Sequence, residues 1–132
     1  MNLLPARTLE IEVNEGVSLL RFETLGRELI MIGLEPPRGL MPGSRVELGI
    51  KATHIILSRD LPERMALSNA LPVRCRKIVS GKLLVSVTLE CQGTFLEAIL
   101  PRPSFEKLEM KEGEELYALF QAAELSVVKV LG

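Results

Sequence analysis

Apolar and polar positions alternate along most of this chain in short runs. The clearest run is Val46 to Ser58 (VELGIKATHIILS), with Val46, Leu48 and Ile50 in phase and a phase change across Lys51-Ala52. Alternation with period two puts successive side chains on opposite faces of a strand. A phase change at one polar-small pair predicts two short strands meeting at a kink or bulge. The pattern returns at an offset of 70 residues, in Leu116 to Val128 (LYALFQAAELSVV), with its phase change at Gln121-Ala122.

The echo extends upstream. NLLPAR at Asn2 to Arg7 matches NALPVR at Asn69 to Arg74, an offset of 67, and Ile11, Glu23, Gly26, Leu29 and Ile32 find Ile78, Glu90, Gly93, Leu96 and Ile99 at that offset. An ordered series of this kind marks an internal repeat. The predicted division is residues 1–60 and 61–132, joined by a polar linker at Arg59 to Met65. Each copy is near the lower size limit for an independent core, so the copies are expected to pack on each other, through their final strands, or on another chain.

Within the first copy, Met1 to Pro5 reads as a lead-in and Ala6 to Val13, Val17 to Glu23 and Glu28 to Leu34 as strands. Asn14-Glu15-Gly16 and Leu25-Gly26-Arg27 have turn composition. The second copy repeats the order: strands at Val73 to Val79, Leu83 to Glu90 (Leu83, Val85, Val87 and Leu89 on one face) and Thr94 to Leu100. Ser104 to Leu108 is expected to form one helical turn capped by Ser104. Five short strands with a helical turn between the third and fourth is the pattern of a small OB-like barrel. The predicted fold is all-β, two such five-stranded barrels in tandem.

Composition narrows the function classes. Sixteen Lys plus Arg against seventeen Asp plus Glu give a net charge of −1, so no basic field collects nucleic acid or an anionic membrane. The aromatic residues Phe22, Phe95, Phe105, Phe120 and Tyr117 are too few for a base-stacking platform. Cys75 and Cys91 are too isolated for a disulfide framework or a zinc site and read as free strand residues. No apolar run reaches the ~20 residues of a membrane span, and no signal peptide pattern is present. No His-Asp pairing or carboxylate pair stands at a catalytic spacing; an enzyme, a cofactor and a metal are not expected.

The Asn-x-Leu-Pro opening, the Pro-Gly or Glu-Gly turn and above all the run Gly-Ile-Lys-Ala-Thr-His-Ile-Ile-Leu (Gly49 to Leu57) resemble the MOP/TOBE domain. The resemblance covers essentially the whole chain, as a tandem pair. It implies a cytoplasmic module that binds molybdate or tungstate. It is nearest to the C-terminal regulatory region of the ATPase subunit of an ABC-type oxyanion importer. It further implies a fragment or descendant of such a subunit that forms a homodimer, with ATPase or permease subunits as partners. The alternative is an interaction or dimerisation module of such an ATPase that has lost its ligand. No Gly-x-x-x-x-Gly-Lys-Ser/Thr loop is present to cradle ATP.

A tetrahedral dianion offers only acceptors, so its site needs N–H groups, hydroxyls and a cation. Residue by residue, the resemblance implies an oxyanion site at Lys51 and Ala52, with Gln121 and Ala122 at the equivalent place in the second copy. At Ala66-Leu67-Ser68-Asn69 the family's Ser-Ala-Arg-Asn opening has Ser68 for the arginine and keeps Asn69. Pro101-Arg102-Pro103-Ser104 keeps the final serine of the family's Thr-x-x-Ser. Each residue also has a plainer reading: Lys51 as a strand-edge lysine, Ser104 as a helix cap, Ser68 and Gln121 as solvated polar groups, Asn69 as a turn hydrogen-bonder, and His54, the only histidine, as structural.

Overall fold

A computed structural model describes all residues from Met1 to Gly132. Ten strands, one short helix and two single turns of 3-10 helix follow in order. The strands are β1 (Asn2–Asn14), β2 (Val17–Thr24), β3 (Arg27–Gly33), β4 (Arg45–Ile50), β5 (Ile56–Ser58), β6 (Asn69–Ser80), β7 (Leu84–Cys91), β8 (Thr94–Pro101), β9 (Glu115–Phe120) and β10 (Ser126–Val130). The helix α1 is Arg102–Glu106, and the 3-10 turns are Ala52–His54 and Ala122–Glu124. The chain is therefore nearly all-β, as its alternation predicts.

The β2–β3 and β7–β8 hairpins close on two-residue turns, Leu25-Gly26 and Gln92-Gly93, with all four residues at positive φ (51°, 74°, 46° and 82°). Two successive positive φ values match the right-handed twist of the flanking strands, which is why glycine stands second in each. β1 and β6 each carry one bulge, at Leu9 and at Arg76, where the register against β2 and β7 slips by one residue. These two positions are 67 apart, so the irregularity belongs to the repeat.

Two five-stranded sheets result, in the orders β10-β4-β1-β2-β3 and β5-β9-β6-β7-β8. The final strands are exchanged. β5, from the first copy, pairs with β9 through Ile56↔Leu119 and Leu57↔Ala118, and β10 pairs with β4 through Ser126↔Gly49 and Val127↔Leu48. The sheets thus cross the division at residue 60, each taking four strands from one copy and the fifth from the other. The phase change at Lys51-Ala52 is neither a kink nor a bulge within one sheet. It is the 3-10 turn at which the chain leaves one sheet for the other.

Alternation puts Leu4, Leu20, Phe22, Leu29 and Leu48 of one sheet and Leu71, Val87, Leu89, Leu96 and Phe120 of the other into the interior, with Ile55 and Leu57 carried across. The buried apolar residues form one continuous cluster through both halves. At ~25 cal/mol per Å2 of buried apolar surface, this shared interior is what the size of each copy requires.

Several details differ from expectation. Asn2 to Pro5 is not a lead-in but the start of β1, paired with Glu47 to Ile50 of β4. The helical turn begins earlier, with Pro101 at its N-cap and Pro103 inside its first turn, so Ser104 lies within α1 and caps nothing. Proline at that place is favoured because the first N–H groups of a helix have no partner in any case. Leu83 does not join the buried face of Val85, Val87 and Leu89: it lies in the turn before β7, 79% exposed.

Candidate functional site

The two junctions share one backbone. Lys51 is extended (φ −71°, ψ 142°) and precedes a 3-10 turn that closes when His54 N–H donates to the Lys51 carbonyl at 2.9 Å. Gln121 is extended (φ −84°, ψ 153°), and Glu124 N–H donates to the Gln121 carbonyl at 3.0 Å. Ala52 and Ala122 open the two turns, the first half-buried and the second buried. Lys51 and Gln121 are both exposed. None of the eight ion pairs in the chain involves Lys51, so its ammonium is not neutralised by a neighbouring carboxylate.

Sheet register sorts the remaining candidates between the junctions. Asn69 pairs with Phe120 at the end of β9, which sets Ser68-Asn69 beside Phe120-Gln121. Ser68 is exposed, but Asn69 is fully buried. The Asn69 amide donates to the Ile30 carbonyl at 2.9 Å and accepts the Ile30 N–H at 2.8 Å, so it ties β6 to β3 and does not bond a turn. Ser104 is brought to the other junction. It lines a groove of about 280 Å3 together with Thr53, Ile55, Leu57, Pro101 and Leu108, between the first-copy turn and the second-copy β8–α1 segment. Thr53 and Ser104 are the polar residues of that largely apolar groove, and Lys51 and Ala52 precede Thr53 in the chain without lining it; the other cluster is Ser68, Asn69, Gln121 and Ala122.

The two junctions are linked. His54 Nδ1 and Glu124 Oε2 approach to 2.7 Å, out of alignment for a hydrogen bond, a contact that is an ion pair only when the imidazole is protonated. They stand at equivalent places of the copies, 70 residues apart. Reading residues singly misses Glu124, Thr53 and Asn2, whose amide repeats on Glu97 what Asn69 does on Ile30. The offsets of 67 and 70 were the signal that points to Asn2 and Glu124.

The family model of the TOBE domain matches residues 66–127. Residues 66–127 are a TOBE domain. The first half repeats its strand order, completed by β10. Among curated relatives of this chain, the molybdate/tungstate import ATP-binding protein WtpC of Pyrococcus horikoshii is 32% identical over 123 residues, 92% of the chain. The molybdenum import ATP-binding proteins ModC 1 of Azotobacter vinelandii and ModC of Rhodopseudomonas palustris are 31% and 30% identical over 64% and 70% of the chain. The chain spans only 34%, 24% and 26% of the length of these three relatives. A solved structure of the cytoplasmic molybdate-binding protein ModG, with molybdate bound, superposes with a TM-score of 0.88 over 96% of this chain and 94% of that one. At 21% identity it establishes the shared fold. No helix of the chain is long and apolar enough to cross a membrane.

Proposed function

We propose that this chain is a cytoplasmic oxyanion-binding regulatory module of the molybdate and tungstate class, working with the ATPase of an ABC importer. The observation that carries the proposal is the exposed, unpaired Lys51 at the mouth of a 3-10 turn, next in sequence to a largely apolar groove whose polar residues are Thr53 and Ser104. An ammonium, two hydroxyls and main-chain N–H groups are the donor set that an acceptor-only dianion needs. The names of the relatives supply the ligand class and the ATPase. In this reading the chain binds without catalysing a reaction, needs no cofactor, and pairs with a second copy of itself.

The second junction offers less. Gln121 is neutral, and the Asn69 side chain is occupied by Ile30. Charge-assisted hydrogen bonds are worth about 1.5–3 kcal/mol, against about 1 kcal/mol for neutral ones. Lys51→Ala is therefore expected to weaken molybdate binding by about tenfold to a hundredfold, and Gln121→Ala by several-fold at most. Calorimetry on the wild type and both variants, at one salt concentration, is the test. Absence of heat from the wild type at millimolar molybdate would favour a second reading, an interaction module without ligand. The exposed Leu34 and Phe95 on and beside the edge strands β3 and β8 suit that role.

A further inference from the structure

The three guanidinium groups of Arg59, Arg74 and Arg76 line one cleft of about 450 Å3 on the second sheet, bounded by β6, β7 and β9. The cleft lies apart from both junctions and shares no residue with the groove beside Lys51. Each arginine is braced, Arg74 and Arg76 by Glu115 and Glu90, which line the cleft beside them. Arg59 donates to the carbonyls of Leu108 and Glu109, both at 3.0 Å, and to Glu114 at 3.1 Å. Arg74 donates to the Gly113 carbonyl and to Glu115, both at 2.7 Å. Arg76 donates through Nε to Glu90. Arg59 and the Lys111 N–H together hold the Glu114 carboxyl below the ordinary carboxylate range.

Bracing leaves donors over. A guanidinium carries five N–H groups, and Arg76 uses only its Nε, so both terminal nitrogens make no bond to the protein. Arg74 likewise keeps its Nε free. Arg76 is also the bulge residue of β6, and bulges commonly re-aim a side chain at a site. The equivalent cleft on the first sheet pairs Arg7 with Glu23, has Leu9 at the bulge, and has Arg45 where the second has Glu115. The second copy therefore places a cation at the position where β6 bends, and an acid, Glu115, where the first has Arg45.

We propose that this cleft binds a carboxylate or phosphate group in bidentate fashion through Arg76 and Arg74, carried either by a small organic anion or by an acidic side chain of a polypeptide. Braced guanidinium forks match such planar or tetrahedral anions, and little side-chain freedom is lost on binding. A volume of about 450 Å3 is in the range of organic-ligand sites, far larger than one tetrahedral oxyanion. Tyr117, half-buried on the cleft, is the aromatic residue available to the remainder of the ligand.

The test is calorimetry on the full chain at low salt, with citrate, pyrophosphate and a hexaglutamate peptide as probes. Arg76→Leu copies the residue the first half uses at the same bulge, and Arg76→Gln is the alternative if that variant fails to fold. Either is expected to weaken the bound probe by about tenfold or more. Arg7→Gln, in the other cleft, should leave it unchanged, and molybdate binding should not respond to Arg76. Binding of citrate or pyrophosphate identifies a small anion, and binding of the peptide alone identifies an acidic side chain. No binding of any probe at millimolar concentration overturns the proposal. So does an equal response to Arg7→Gln and Arg76→Leu, which would show a diffuse charge effect.

Discussion

Asn69 caps the free edge of the strand that carries Ile30. Its amide takes both the N–H and the C=O that Ile30 turns away from β2, at 2.8 and 2.9 Å. Since β3 is an edge of the first sheet, those groups would otherwise template pairing with another chain. Asn2 does the same for Glu97 on β8, the matching edge of the second sheet, with both bonds at 2.8 Å. Each copy thus closes an edge of the other with one asparagine.

Removing that cap strips two partly buried backbone groups of their partners. An unsatisfied buried donor or acceptor costs about 1–3 kcal/mol. Asn69→Ala is expected to destabilise the chain by about 2 kcal/mol or more, read from the midpoint of urea denaturation. Asn2→Ala should do so comparably. A change within experimental error in both would show that water replaces the amide at no cost.

The strand exchange predicts the behaviour of fragments. Residues 1–60 contain β5 but not the β10 that β4 pairs with, and residues 61–132 contain β10 but not the β5 that β9 pairs with. Each fragment alone should lack stable β structure by circular dichroism and amide exchange. Mixing the two should restore it. Two independently folded halves would contradict this.

Thr8 carries a buried hydroxyl with no hydrogen-bond partner. Its counterpart at the offset of 67 is Cys75, also buried. Thr8→Val keeps the shape and the β-branch while removing the unpaired oxygen. Stability should rise by about 1 kcal/mol, measured as a shift in the unfolding midpoint without a change in slope.

The two thiols predict an alkaline dependence. Burial raises the pKa of Cys75 above its ordinary 9.0, with Glu112 and Glu114 adding to it. Burial also raises Cys91, against the opposing charge of Arg27. A raised folded-state value means the unfolded chain loses these protons first as pH climbs. The contribution is therefore complete below pH 9.0, the ordinary thiol value. It fades as pH rises from there through the folded-state values. Cys75→Thr and Cys91→Thr, each restoring the first-copy residue, should flatten the fall in stability between neutral and strongly alkaline pH. In the native state both thiols should resist alkylation at neutral pH, since the thiolate is the nucleophile.

The candidate site was legible in part. The family resemblance named Lys51-Ala52 and Gln121-Ala122, the pairs at which the alternation breaks, and the structure gives both the same turn. Ser104, implied by the resemblance for the site and read more plainly as a helix cap, lies within α1 and on a groove with Thr53. Composition could not show this, because the groove joins a first-copy turn to a second-copy helix. Asn69, implied by the resemblance as an oxyanion residue and read more plainly as a turn hydrogen-bonder, has its side chain on Ile30, 39 positions away on the other sheet.

By itself the sequence determined the strands, the hairpin turns and the repeat, because these depend on local chemistry. Alternation sets which face is buried, and glycine at positive φ sets where hairpins close. It did not determine which sheet takes β5 and which takes β10. Ile56 and Ser126 begin equivalent strands, and either edge, β4 or β9, offers the same backbone partners. Alternation names the buried face of a strand, never its neighbour. Only the tertiary structure decided that, because the 3-10 turns after Lys51 and Gln121 redirect the chain across the shared core before each final strand begins.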